Sequence, residues 1–146
     1  MYKRQEEHLV EGAYYAKSPG QVVYIHFAIS QQHQKGIKAL IQQVQAAYEK
    51  KLGVKYEISC SYQKPSTDTI AMSEYGKPFR TKEGELLFRP GGHGALLDNL
   101  NSIQADLIFI KNVDNVVPDS LKETIALYKK ALAGYCLLYT SDAADD

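Results

Sequence analysis

The stretch FRPGGHGALLDNL, Phe88 to Leu100, puts Gly91, Gly92 and Gly94 around His93 and runs straight into a helical pattern. Glycine tolerates positive φ and lets a ligand approach backbone N–H groups. A turn of such amides ahead of a helix attracts anions, phosphate above all. Farther along, Asp114 follows the apolar run of ADLIFIKNV. A carboxylate just past a buried strand can hold Mg²⁺ through oxygen where phosphates are handled. Together these residues would grip a polyphosphate and its divalent ion. The loop matches neither the dinucleotide pattern G-x-G-x-x-G nor the P-loop, which needs Lys and Ser/Thr. On spacing alone two readings stay open, a ligand loop or a tight turn with a helix cap. His93 by itself fits a turn, and so does Asp114.

These groups need a scaffold, and the chain alternates strand and helix signals. Glu6–Lys17 reads as a helix with Leu9, Val10, Ala13 and Tyr14 inward, ended by Pro19-Gly20. Val22–Ser30, VVYIHFAIS, is a strand whose near-continuous apolarity predicts cover on both faces, as in a parallel sheet. Ile37, Leu40, Ile41, Val44, Tyr48 and Leu52 form one face of an amphipathic helix stopped at Gly53. Tyr56–Tyr62, YEISCSY, alternates as a second strand, completing a βαβ unit with a right-handed crossover.

TIAM, the turn around SEYGKP, and GELLF predict a small edge hairpin. A helix with Ala95, Leu96, Leu100 and Ile103 inward follows the glycine loop. Ala105–Val113 is the expected third buried strand. Pro118, Ser120 and Glu123 signal a last helix, with Leu121, Ile125, Tyr128 and Leu132 inward and Gly134 at its end. The fold class is α/β. In such sheets ligands bind beyond the carboxyl ends of the parallel strands, where both the glycine loop and Asp114 should lie.

The length of 146 residues suits one domain. Lys+Arg and Asp+Glu both number 17, and that balance argues against a nucleic-acid surface. No apolar run approaches the roughly 20 residues of a membrane span, and the N-terminus lacks a signal-peptide core. The expected location is cytoplasmic.

The two ends look foreign. MYKRQ can be written ATG TAT AAG AGA CAG, and CLLYTS can be written TGT CTC TTA TAC ACA TCT. One reads as the reverse complement of the other's element, so residues 1–5 and 136–146 resemble translated sequencing adapter. Residues 6–135 are then an internal piece of a longer protein. Cys60 is its one native cysteine, which fits a reducing compartment and a buried, inert thiol.

Two resemblances add to this reading. RPGGHGALLDNLNSIQADLIFIKNVDNVVPD is similar to the PPGHGD…FVSNVDN region of UDP-sugar pyrophosphorylases, and YEISCSYQKP sits where that family has a strand ending in F-x-Q. STDTIA, LLFRPGGHGAL and IFIKNVDNVVPD more closely resemble the bacterial family known as domain of unknown function 4301, itself compared with GT-A nucleotidyltransferases. The resemblance implies a three-layer sandwich with a mostly parallel mixed sheet, GT-A (nucleotide-diphospho-sugar transferase)-like, present over residues 6–135 as an incomplete fragment.

It also implies roles. Gln63 would face the base. Gly91, Gly92, His93 and Gly94 would contact the nucleotide or sugar phosphate, Gly92 through its N–H. Asn112 and Val113 would line the site, and Asp114 would be the catalytic magnesium ligand. Lys111, where the pyrophosphorylases have a small residue, would touch phosphate or point away. Ala95 replaces their Asp.

The activity implied is transfer of a nucleotidyl group from an NTP to a phosphorylated acceptor, a sugar phosphate foremost, releasing pyrophosphate. Mg²⁺ is the cofactor and a nucleotide or nucleotide sugar the partner. The alternative is a nucleotide-sugar-binding module without chemistry. A GT-A glycosyltransferase would call for a D-x-D motif, and NVDN supplies none. The bland reading is an interaction domain whose glycine loop is only a turn.

Overall fold

The chain begins with a helix because Leu9 and Ala13 fall one turn apart and have a strand to cover. The structure, a computed structural model, describes residues 3–142. Helix α1 spans Lys3–Tyr15. Leu9 and Ala13 are buried as expected, and Glu11 joins them at 2% exposure. Gly12 lets this helix close on the first long strand. A Cβ there would come within 3.2 Å of Val23 Cγ1 and 3.3 Å of Ile25 Cδ1.

Strands β1 (Lys17–Ser18), β2 (Val22–Ile29) and β3 (Lys55–Tyr62) form one sheet in that order. β1 runs antiparallel to β2, with Lys17 opposite Val23, and the sheet is mixed. Helix α2, Gln34–Leu52, connects β2 to β3 and stops at Gly53, whose φ of +64° is a conformation that favours glycine. The expected face of α2 is the inner one. Ile37 is buried, and Leu40, Ile41, Val44, Tyr48 and Leu52 are half-buried, while the residues between them are largely exposed.

The chain divides into two compact units. The first comprises residues 1–26, 35–59 and 105–146. Its core is Leu9, Ala13, Val23, Val54 and Tyr56, with Ile25, Val44, Tyr48, Leu52 and Ile58 packed on it. Fully buried side chains of the size of Leu9 and Val23 each contribute about 1.5–3 kcal/mol. The Tyr56 hydroxyl donates to the Leu9 carbonyl at 2.7 Å, so the ring is buried without stranding its polar end.

Three expectations fail in this unit. Cover on both faces of β2 does not hold, since Tyr24 is 66% exposed while Val23 is fully buried. Ala105–Val113 is not a strand. A strand needs a ladder edge, and the backbone of Tyr56 in β3 is already taken by α2. Gln45 Nε2 donates to the Tyr56 carbonyl at 3.0 Å, and the Tyr56 N–H donates to Glu49 Oε1 at 2.9 Å. Residues 105–113 stay irregular and are held by side chains, with Phe109 against Tyr15 at a 5.0 Å centroid distance.

The third failure is the last helix, α4, Asp119–Asp142, which runs through Gly134 instead of ending there. Its inner face is not the apolar one. Lys122 (4% exposed) and Ala126 are buried and the expected Ile125 is half-buried, whereas Leu121, Tyr128 (72%) and Leu132 face out. The cause is on α1, where Glu7 draws Lys122 into an ion pair. No helix among the described residues is long and apolar enough to cross a membrane.

The second unit comprises residues 27–34 and 60–104. The expected hairpin is present, with β4 (Thr69–Ile70) antiparallel to β5 (Phe88–Arg89). The intervening chain makes two further turns, at Ser73–Gly76 and Thr81–Gly84. Gly76 and Gly84 take φ of +71° and +87°, the left-handed values such turns need. Among the described residues Ala71 is this unit's buried apolar side chain. Polar bonds hold much of the rest. Buried Asn99 donates to Ser61 Oγ at 2.7 Å and to the Tyr62 carbonyl at 2.9 Å.

Candidate functional site

The second unit carries a cavity of about 330 Å³, lined by Ala28, Ile29, Ser30 and Gln31 beyond β2, and by Tyr62, Gln63, Pro65, Asp68, Pro90 and Leu96. Its position at the carboxyl ends of β2 and β3 is the one ligands favour in α/β sheets. Pro65, Pro90, Leu96 and Ile29 supply apolar wall. Ser30, Gln31, Gln63 and Asp68 supply polar groups, a mixture typical of small-molecule sites.

Local sequence explains how these side chains meet. Pro65 starts a single 3₁₀ turn, Pro65–Thr67. The turn is closed by Thr67 N–H and Thr67 Oγ1, both donating to the Lys64 carbonyl at 2.9 and 2.7 Å. It turns the chain back so that Gln63 Nε2 donates to Asp68 Oδ1 at 3.0 Å. Lys64 is exposed and pairs with Asp98 at 3.1 Å.

The glycine loop reaches this cluster at one point. A Cβ on Gly91 would lie 2.9 Å from Ala95 Cβ, 3.0 Å from the Thr67 carbonyl oxygen and 3.7 Å from Gln63 Nε2. Glycine is needed there for close approach. The expectation of positive φ is not met, because Gly91, Gly92 and Gly94 all lie outside that region. Gly92, with φ of −78°, precedes a 3₁₀ turn at His93–Leu96 and a five-residue helix α3, Leu97–Asn101. A helix that short brings little dipole, and the Ala95 N–H is already bonded to the Gly92 carbonyl at 3.0 Å. Gly92, His93 and Gly94 are exposed.

The remaining expected site residues lie in the first unit, in a turn closed by Asn115 N–H to the Asn112 carbonyl at 3.1 Å. One face of α1 grips it at three points. Arg4 pairs with Asp114, His8 Nε2 meets the Val113 carbonyl at 3.1 Å, and Glu11 pairs with Lys111. Arg4, His8 and Glu11 are spaced four and three apart, so they share a helix face. Lys111 therefore points to Glu11. Both side chains are largely buried, and Glu11 Oε1 has no hydrogen-bond partner among the described residues. Lys129 stands over Tyr15 at 4.8 Å from the ring centroid. Its pKa is lowered by burial and by Lys111. The Tyr15 hydroxyl is pushed up to about 12 by burial and by the nearby Glu11 carboxylate.

Asp114 has a side chain 74% exposed and is engaged by the Arg4 guanidinium. Among the described residues no group of three His, Cys, Asp or Glu converges as a metal cage would. To hold a magnesium ion, Asp114 would have to exchange Arg4 for the cation, whose other ligands would come from substrate or water.

The structure thus brings Gln63 and Gly91 together in the second unit and Lys111, Asn112, Val113 and Asp114 together in the first. Sequence reasoning marked Pro65–Asp68 as a polar turn without assigning it a role, and missed Ser30 and Gln31 at the cavity. It also missed the Arg4–His8–Glu11 stripe, whose helical spacing was the available signal.

The family described as Domain of unknown function (DUF4301) matches residues 2–145. The chain belongs to that family. The DUF4301 match runs through both compact units and through the residues read above as adapter. No curated protein and no solved structure matches the chain.

Proposed function

We propose that this DUF4301 chain binds a nucleotide in the cavity of the second unit. On this reading it is part of a cytoplasmic GT-A-like nucleotidyltransferase. An oxygen of a phosphorylated acceptor, foremost a sugar phosphate, attacks the α-phosphorus of an NTP. The bond from that phosphorus to the bridging oxygen breaks, and pyrophosphate leaves. The observation that carries the reading is the Gln63 amide, fixed by Asp68 at 3.0 Å and lining an apolar-walled cavity. Pro90 and Leu96 offer flat contact for a base, and Gln63 offers hydrogen bonds to its edge. Magnesium would arrive with the nucleotide's phosphates.

Titration calorimetry of the chain with UTP, CTP, GTP and ATP, each with Mg²⁺, tests this. At least one should bind in the micromolar range, and Gln63→Ala should weaken it about tenfold, the loss of one good hydrogen bond. Binding of none, or binding unchanged in Gln63→Ala, defeats the assignment.

A second reading is a nucleotide-sugar-binding module without chemistry. The pairing of Asp114 with Arg4 and of Lys111 with Glu11 favours it, because the carboxylate and the ammonium that polyphosphate would use are engaged within the chain. Metal-independent binding with no pyrophosphate released from NTP and sugar phosphate separates the two.

A further inference from the structure

We propose that Asp68 is a positioning residue that fixes the Gln63 amide, so that the cavity separates keto bases from amino bases. This rests on Gln63 facing the base.

An ionised carboxylate only accepts hydrogen bonds. Asp68 Oδ1 therefore takes the nitrogen end of the Gln63 amide, as the 3.0 Å contact from Nε2 shows. A flipped amide would set oxygen against oxygen. Gln63 Oε1 and the second Nε2 hydrogen are left for a ligand, in a fixed order across the cavity wall.

That order has a chemical consequence. Uracil carries an acceptor at position 4 and a donor at position 3, and cytosine carries the reverse. Guanine and adenine are reversed in the same way at positions 6 and 1. An amide free to flip would meet either member of each pair. An amide held in one orientation meets one member well and sets like against like with the other.

The rest of the cluster keeps Asp68 in place. The Pro65–Thr67 turn carries it back to Gln63, and the Asp68 N–H donates to the Pro65 carbonyl at 3.1 Å. The loop seats against that turn at Gly91, where any side chain would meet the Thr67 carbonyl oxygen at 3.0 Å. The run STDTIA supplies Thr67 for this contact and Asp68 for the bond to Gln63.

The test is Asp68→Asn, which keeps size and shape but can donate as well as accept. Titrations with UTP against CTP, and GTP against ATP, should show roughly tenfold preference within a pair for the wild-type chain, the cost of a mismatched hydrogen bond. Asp68→Asn should bring each pair within about threefold, with tripolyphosphate binding unchanged. Full preference retained in Asp68→Asn overturns the proposal.

A ligand-free readout separates this from the nucleotide reading itself. In the wild-type chain the Gln63 side-chain amide should give one proton resonance moved downfield and protected from exchange, and Asp68→Asn should abolish both effects. An identical Gln63 amide signal in the two proteins overturns the positioning role whether or not nucleotides bind. Absence of nucleotide binding with that signal changed overturns only the base assignment, and leaves Asp68 orienting Gln63 for another ligand. The remaining amide resonances of Asp68→Asn report that the variant is folded.

Discussion

The two compact units solve the burial problem in opposite ways. The first closes a core of Leu9, Ala13, Val23, Val54 and Tyr56 and sets ion pairs from α1 to α4 and to residues 111–114 around it. The second buries little beyond Ala71 and Asn99, relies on turn hydrogen bonds, and carries the cavity. Its Met72, Tyr75, Phe79 and Phe88 are at least half exposed. Local opening follows the density of buried contacts. The first unit is therefore the stable frame, and the second is the softer part.

The largest expected effect breaks the frame. Glu11→Ala leaves Lys111 largely buried without its carboxylate. Such a loss costs about 3–5 kcal/mol, read as a lower urea midpoint. Replacing both residues with methionine should restore most of it. A double variant no more stable than Glu11→Ala would show that the pair is not the keystone described.

A smaller effect should stay inside the second unit. Gly91→Ala drives a Cβ against Ala95 and the Thr67 carbonyl. Overpacking of this kind costs about 1–3 kcal/mol. Amide exchange should quicken across residues 60–104 and stay unchanged in α1 and α4. Equal quickening in both units would erase the contrast between them.

The smallest effect is a pH dependence of the first unit. His26, with Nδ1 2.8 Å from Ser59 Oγ, has its pKa lowered by burial. The unfolded chain then binds the proton more readily than the folded one. The contribution is present above the ordinary histidine pKa of about 6.5, and is lost as pH falls below it. Thermal melts of wild type and His26→Gln between pH 7.5 and 5.5 should converge on the acid side. Parallel curves would remove His26 from the account.

The sequence was legible where periodicity met a partner that periodicity itself implies. α2 shows this, since every residue of its expected inner face is the less exposed one. It was illegible where the partner's chemistry decided. α4 does carry an apolar stripe at Leu121, Tyr128 and Leu132, but Glu7 on α1 selects the Lys122 side. The apolar run at 107–110 says extended, yet Gln45 and Glu49 hold the backbone of Tyr56 in β3 that a further strand could have used.

The glycine run was read for conformational freedom, and the structure uses one member, Gly91, for closeness. Gln63 was marked by a motif, and it lines the cavity. Its orientation by Asp68 was not, because a five-residue return through a turn leaves no periodic trace.

Arg4, His8 and Glu11 sit on one helix and grip Asp114, Val113 and Lys111 of one strap. Such fastenings act like teeth of a single comb. Rotating α1 by one residue position disengages all of them together, whereas fraying only its first turn lets go of Asp114 and leaves Lys111 fastened. A carboxylate and an ammonium three residues apart in sequence are thus released in a fixed order, the acid before the base.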